Sequence, residues 1–447
     1  MHNSEFKQIN FNAAGIDIGA ESHYVAVPEG RDPKGKDVRS FGTFTSDLYA
    51  IADWLQQCQI DTVAMESTGV YWIPLFEILE SKGFDVKLVN PRFIKNVPGR
   101  KTDVVDCQWI RQLHSYGLLT GSFRPEDQIC VLRSYWRHRD NLIRYAAAHV
   151  QHMQKALTQM NLHLHKVISN LTGVTGIRII QAILAGERDP LKLAQMRDPR
   201  IKNSAETIAK SLEGDYRQEH LFALKQAFEL YCTYKQKIEA CEQETEAYLT
   251  KLDSKCNPDP TKKYKSSRSK NDPSFDLGIH LYRITGVDFT KIDGLDVLTV
   301  YTILTEVGLN PEAFGTEKRF ASWLGLCSEN RITGGRIISN KTRKVVNRAS
   351  KAFRMGANSL KNSQSALGGY FRRMRARLGA PKAITATAHK LARIFFHLWK
   401  TGDSYQDLGA DYYEQKYKER IIENMKKRAR KLGFELTLQT LDGLEVS

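Results

Sequence analysis

The sequence is short of the features that would mark a secreted or membrane-bound protein. Its seven cysteines, Cys58, Cys107, Cys130, Cys232, Cys241, Cys256 and Cys327, include no C-x-x-C pair and no Cys/His set at zinc spacing. A disulfide scaffold and a zinc finger are therefore excluded, and the cysteines read as reduced thiols. No apolar run approaches the ~18 residues of a membrane span. The opening MHNSEFKQ lacks the basic-then-apolar form of a secretory signal, so a cytosolic protein with no membrane partner is expected. Acid is missing from one long stretch as well. Between Asn330 and Gly402 there is no Asp or Glu, while Lys and Arg number seventeen. A solvated surface mixes both signs, so a run this one-sided points to phosphate contact, with Arg331, Arg336, Lys341, Arg343, Lys344, Arg348, Arg372, Arg373, Arg375 and Arg377 as candidate nucleic-acid-binding residues. Tyr370, Phe371 and Trp399 lie in the same stretch and read as core before they read as base-stacking rings.

The whole chain carries the same bias. A net charge of +16 over 447 residues raises affinity for polyanions and speeds encounter with them, so nucleic acid is the first partner to consider. The length predicts two or three domains. Strand-like and helix-like patterns alternate through residues 1–125, from AAGIDIG and SHYVAVP to TVAMES, WIPLFEILESKG and DVKLVN, which is α/β. Apolar residues at three and four spacing then predict long paired helices through 126–282, interrupted at about 256–274 by a basic, proline- and serine-rich stretch with the composition of a flexible insertion. A compact helical unit follows over 283–402, and a charged helical tail over 403–447. The segments GVTGIR and IDGLDVLTVYTIL each put glycine ahead of a helix, which suits either helix amides offered to a phosphate or plain helix packing.

Four carboxylates fall in a pattern. Asp17 ends the apolar strand GIDIG, Glu66 ends TVAMES, and Asp103 and Asp106 are spaced to share one face of the helix DVVDCQWIRQL. Each has an ordinary explanation as a turn former, a cap or a first-turn helix acid. Together, in one α/β domain, they suit all-oxygen coordination of Mg²⁺ or Mn²⁺, because like charges so close are tolerated mainly when a cation neutralises them. Two such ions, about 3.5–4 Å apart, can activate the attacking oxygen and stabilise the leaving oxygen of a phosphodiester.

The motifs GIDIGAESHYVAV, AMESTGVYWIPLFEILESKGFDVKLVN and FASWLGLCSENRITGGRIISNKTRKVVNRASKAF resemble those of the bacterial DEDD-type insertion-sequence transposases, a family that includes the Piv-like DNA invertases. The resemblance covers nearly the whole chain. It implies an RNase H/RuvC-like N-terminal domain, a helical coiled-coil middle and a C-terminal helical transposase domain. It also implies a bacterial cytosolic, nucleoid-associated recombinase acting on donor and target DNA as a dimer or tetramer, guided by a structured bridge RNA. By similarity Asp17, Glu66, Asp103 and Asp106 are the metal-binding acids. The family's nucleophilic serine, directly before a glycine, corresponds to Thr333 in RITGGR. The extra methyl restricts and crowds that hydroxyl, so Ser328 and Ser339 stand as alternative nucleophiles. A metal-dependent junction-resolving nuclease would need the acids but not Thr333. A non-catalytic, nucleic-acid-binding relic would need only the basic segment.

Overall fold

The computed structural model describes residues 7–91, 102–259, 261–264, 266 and 271–437. Its contacts divide into two compact units, Met1–Arg124 and Pro125–Ser447.

The first unit is built on a five-stranded sheet. Strands β1 (Ala13–Ile18), β2 (His23–Ala26) and β3 (Val38–Phe41) form an antiparallel meander, while β4 (Thr62–Glu66) and β5 (Asp85–Val89) add in parallel, giving the order β3-β2-β1-β4-β5. Helices α1 (Thr45–Gln57) and α2 (Trp72–Ser81) make the connections that parallel pairing requires. Side chains alternate faces along a strand, and the packing follows that period. Ile16, Ile18, Val63 and Met65 join Leu48, Ile51, Leu55, Leu75 and Leu79 of α1 and α2 in one core. Ala64 and Val89 face the other way, onto Ile110 of helix α3 (Asp103–Ser115). The intervening positions of β1 and β4, Gly15, Asp17, Thr62 and Glu66, therefore belong to the α3 face.

The second unit begins with two long helices, α4 (Asp127–Gln159) and α9 (Gln218–Lys251), as the apolar spacing predicts. They run antiparallel within the chain: Tyr135 meets Tyr248, Arg139 meets Glu242, and Tyr145 meets Tyr234. Four short helices, α5 (Leu164–Val167), α6 (Val174–Leu184), α7 (Pro190–Gln195) and α8 (Ala205–Ser211), close one end of the pair around Leu157, Met160, Ile180, Ile183, Leu193 and Ile208.

The rest is helical except for one hairpin. Helices α10 (Leu277–Thr285), α11 (Val297–Val307), α12 (Glu317–Trp323), α13 (Arg348–Ser359), α14 (Ala366–Leu378) and α15 (Ala380–Thr401) precede the tail helix α16 (Tyr412–Lys431). Phe289 stacks on Phe395 at 4.1 Å between ring centres, and Phe320, Phe353, Phe396 and Trp399 surround them. Phe371 and Trp399 are thus core, whereas Tyr370 is only half-buried. The strands β6 (Arg331–Thr333) and β7 (Arg336–Ser339) form the hairpin, inside a stretch whose composition reads as helical. Gly334 and Gly335 both take positive φ, +54° and +75°, the two-residue turn whose twist matches paired strands, and a helix cannot pass through it. At the glycine turn before α11, the Asp296 side chain caps the helix by accepting from the Thr299 amide (2.8 Å), which sets a carboxylate where a phosphate would have to bind.

A buried ion pair ties α4, α9 and the inserted stretch together. Arg139 and Glu242 are 3% and 4% exposed, with Nε and Nη2 donating to Oε1 at 2.8 and 2.6 Å. Arg139 also donates to the Asn271 carbonyl (2.7 Å), and Glu242 accepts from the Ser274 amide (3.0 Å) and hydroxyl (2.8 Å). Of the 256–274 stretch, residues 260, 265 and 267–270 lie outside the described residues. Removing one partner of such a pair strands a buried charge, so Arg139→Leu is expected to destabilise the protein by about 3–5 kcal/mol, read from the urea midpoint. Arg139→Leu/Glu242→Leu together should recover much of that loss, and an unchanged midpoint in the single variant would refute the account.

Candidate active site

Helix α3 crosses its face of the sheet head to tail against β1 and β4. At its C-terminal end His114 Nε2 meets Thr62 Oγ1 (2.9 Å) at the start of β4. One to two turns earlier, the backbone of α3 presses onto Gly15: a Cβ there would lie 2.4 Å from the Cys107 carbonyl oxygen and 2.2 Å from the Arg111 nitrogen. Only glycine permits that approach. Continuing the same way, the first turn of α3, with Asp103 and Asp106, reaches the end of the strands where Asp17 and Glu66 project on the same face. The chain thus delivers the acids by three devices: two strand ends, one close helix, and a Thr102 cap whose hydroxyl accepts from the Val105 amide (3.3 Å) and fixes where the helix starts.

Electrostatics record the convergence. Asp17 is half-buried, and its carboxyl is pushed up to about 6, first by burial and then by the charges of Glu66, Asp103 and Asp106. Glu66 accepts a hydrogen bond from Thr68 Oγ1 (2.8 Å), Asp106 is half-buried and Asp103 is exposed. Cys107, buried in the next turn, has its thiol pushed up to about 12 by burial and by Asp17, so it stays protonated and is no nucleophile. Among the described residues, no group of three or more His, Cys, Asp or Glu side chains is drawn together closely enough to hold a metal ion. The donor set nevertheless fits a hard divalent cation: carboxylate oxygens only, on one face, with a mutual repulsion that a cation would relieve.

The hydroxyl candidates lie in the second unit, Thr333 and Ser339 on the hairpin and Ser328 at its base. Thr333 pairs with Arg336 across the turn, and Arg331 pairs with Ser339. Strand alternation and pairing put Arg331, Thr333 and Arg336 on one face and Ile332 and Ile337 on the other, with a bulge shifting the register between that part and the Arg331–Ser339 pair. Thr333 is exposed. Ser328 bridges Thr342 at the hairpin base, and Ser339 Oγ accepts from the Lys341 amide (3.4 Å).

The basic candidates divide into two groups. Arg343 donates to the Ser322 carbonyl (3.2 Å), Arg348 pairs with Asp140 (3.2 Å), Arg372 bonds the Ser363 carbonyl, Arg373 the Tyr413 carbonyl (3.2 Å), and Arg377 contacts Met374 Sδ (3.7 Å). Arg331, Arg336, Lys341, Lys344 and Arg375 are exposed and, among the described residues, have no carboxylate partner.

Two family models match the chain: a DEDD-type transposase model over residues 14–162, and one described as the transposase IS116/IS110/IS902 family over residues 288–371. The chain belongs to the IS110-type transposase family. The first match holds all four acids, and the second holds the hairpin, the basic helix α13 and the start of α14, ending before Arg372. Membership makes the protein a transposase with DNA as its substrate. No curated protein matches it, and no described helix is long and apolar enough to cross a membrane.

The sequence reading of the transposase missed Gly15, whose signal was a glycine inside an otherwise apolar strand, and the arginine-flanked face of the hairpin, signalled by Gly-Gly between β-branched residues. Gly15→Ala is expected to force α3 off the sheet, lowering the melting temperature and abolishing activity, and a variant with wild-type melting and activity would refute that close approach. Asp17 supplies a second test. Its carboxyl lies near 6 in the fold against 3.8 when free, so the folded form keeps a proton that the unfolded chain loses between those values. Metal-free stability therefore falls as pH rises through that window, and the penalty is complete above about 6. Asp17→Asn should raise the melting temperature of metal-free protein at neutral pH and give no gain near pH 4. A destabilised Asp17→Asn at neutral pH would contradict the crowding.

Proposed function

We propose that this transposase cleaves and rejoins DNA strands through two parts that act together: an RNase H/RuvC-like acidic site formed by Asp17, Glu66, Asp103 and Asp106, and a hydroxyl nucleophile at Thr333. The observation that carries the reading is the placement of all four carboxylates on the α3 face at one end of the sheet, with their charges felt at Asp17. The meander extended by parallel strands, in the order β3-β2-β1-β4-β5, supports the RNase H/RuvC-like assignment. The division into an acidic domain (1–125), a helical middle (126–282), a transposase domain (283–402) and a tail (403–447) is part of the proposal.

Mg²⁺ or Mn²⁺ held by the four acids would supply Lewis-acid polarisation of a phosphodiester and charge neutralisation. The work of the chain's own residues is distinct. Thr333 Oγ1 attacks phosphorus, a P–O bond to the departing strand breaks, and that strand leaves as an alcohol with the proton given up by the threonine. Arg331 and Arg336, on the same hairpin face, neutralise the phosphate under attack. The exposed lysines and arginines hold the remaining backbone while strands are exchanged. The acids and the hydroxyl lie far apart in the sequence, and in this proposal assembly of a dimer or tetramer on DNA, directed by a structured bridge RNA, brings them to one phosphate.

Recombination between donor and target plasmids, in cells carrying the element's flanking non-coding DNA, tests this. Asp103→Asn and Thr333→Ala should each lower product by at least about 10³-fold, the scale of losing a nucleophile or its activator. Thr333→Ser should keep activity, as should Ser328→Ala and Ser339→Ala. Activity surviving Thr333→Ala moves the nucleophile or leaves a metal-dependent nuclease. A wild type that binds DNA yet gives no product marks a relic. Product formed without the non-coding DNA removes the guide RNA from the scheme.

A further inference from the structure

Two grooves in the second unit meet at one tyrosine. The first, about 890 Å³, runs beside the hairpin base against α14 and α15 and is lined by Ser328, Lys341, Lys344, Lys382 and His389, with no Asp or Glu among its lining residues. The second, about 650 Å³, lies between α14, α15 and the tail helix α16. Tyr370 lines both.

The second groove is built from rings and cations. Tyr370 and Tyr413 stand 5.4 Å apart between ring centres, and Tyr412 and Tyr413 5.0 Å. The Arg373 guanidinium lies over the Tyr417 ring at 3.3 Å, and the Lys390 ammonium over Tyr413 at 4.8 Å. Tyr417 stays open, 43% exposed, while Tyr370, Tyr412 and Tyr413 are half-buried. Cations also outnumber the two carboxylates that α16 contributes, Glu419 and Glu423. A helix docked only for stability would turn Tyr417 inward as well, and a groove meant only for duplex phosphates would have no use for rings. Bases in a duplex have their faces covered by neighbours, whereas an unpaired base offers its face to an aromatic side chain.

We infer that the two grooves form one track for an unpaired nucleic-acid strand, with phosphates along the lysines of the first and bases against the tyrosines of the second, and that α16 is the wall completing it. This rests on the reading of the basic segment as a nucleic-acid surface. The strand is either DNA opened during exchange or a single-stranded part of an RNA, and the chemistry is the same for both.

The test uses the full chain and three fluorescent probes read by anisotropy across a salt series: oligodeoxythymidine and oligouridine of about 12 nucleotides, and a duplex of about 12 base pairs. The wild type should bind both single strands, and the tighter of the two identifies the source. Tyr417→Ala should weaken single-strand binding by about 5- to 100-fold, with the salt slope and duplex affinity unchanged, because stacking releases no counterions. Tyr417→Phe should restore it. Lys344→Gln should instead lower the single-strand salt slope by about 0.7. Tyr412→Leu carries the same expectation as Tyr417→Ala if the latter melts early. Wild-type binding by both tyrosine variants, an equal loss of duplex affinity, or a Tyr417→Phe as weak as Tyr417→Ala overturns the track. Duplex binding with no single-strand binding overturns the track alone, and loss of all binding in the wild type overturns it together with the reading of the basic segment.

Discussion

The contact on which the N-terminal unit turns is backbone against backbone, where α3 rests on β1 at Gly15. With a side chain there, the helix would stand off the sheet and Asp103 and Asp106 would lie away from Asp17. The contact therefore does two opposed things. It gives the unit a tightly packed second layer, with Ile110 against Ala64 and Val89, and it crowds like charges at the end of that layer. Apolar packing holds the acids where their own repulsion would part them, and the cost is felt at Asp17, whose carboxyl is pushed up to about 6.

The second unit solves a different problem, that of a chain segment with no negative charge of its own. Its counter-charges come from elsewhere: Asp140 on α4 for Arg348, Glu317 for Arg393, and Glu312 for Lys400. Helix α11 is locked to α4 by a bidentate pair of Arg137 with Glu306 and by packing of Trp136 on Tyr301. The basic helices thus stand on the antiparallel pair through specific polar contacts, and the Arg139–Glu242 pair holds that support together.

Much of this was legible in the sequence, for reasons that differ by element. Asp17 and Glu66 end apolar runs, so their position at strand ends follows from the period of the strand. Asp103 and Asp106 share a helix face by spacing, and the long helices declare themselves by their apolar rows. The meeting of these acids was legible only as a pattern, since nothing local says that α3 lies on the same face as both strand ends, and the glycine that permits it is one among thirty. The hairpin at 331–339 was hidden by charge: arginines among isoleucines look like a basic helix until the two glycines are read as a turn. The Arg139–Glu242 pair joins residues 103 apart and has no local signal. The tail tyrosines carry none either, because a Tyr-Tyr step in a charged helix reads equally well as surface.

The sharing of counter-charges makes the positive field uneven. Arg348, Arg393 and Lys400 are matched by carboxylates, while among the described residues Arg331 and Arg336 on the hairpin and Lys341 and Lys344 at its base are not. Arg375 on α14 is unmatched in the same way, so the unmatched cations fall on two segments of the stretch, the hairpin with its base and α14. A phosphate reaching the hairpin therefore meets Arg331 and Arg336 without first having to displace a carboxylate from either.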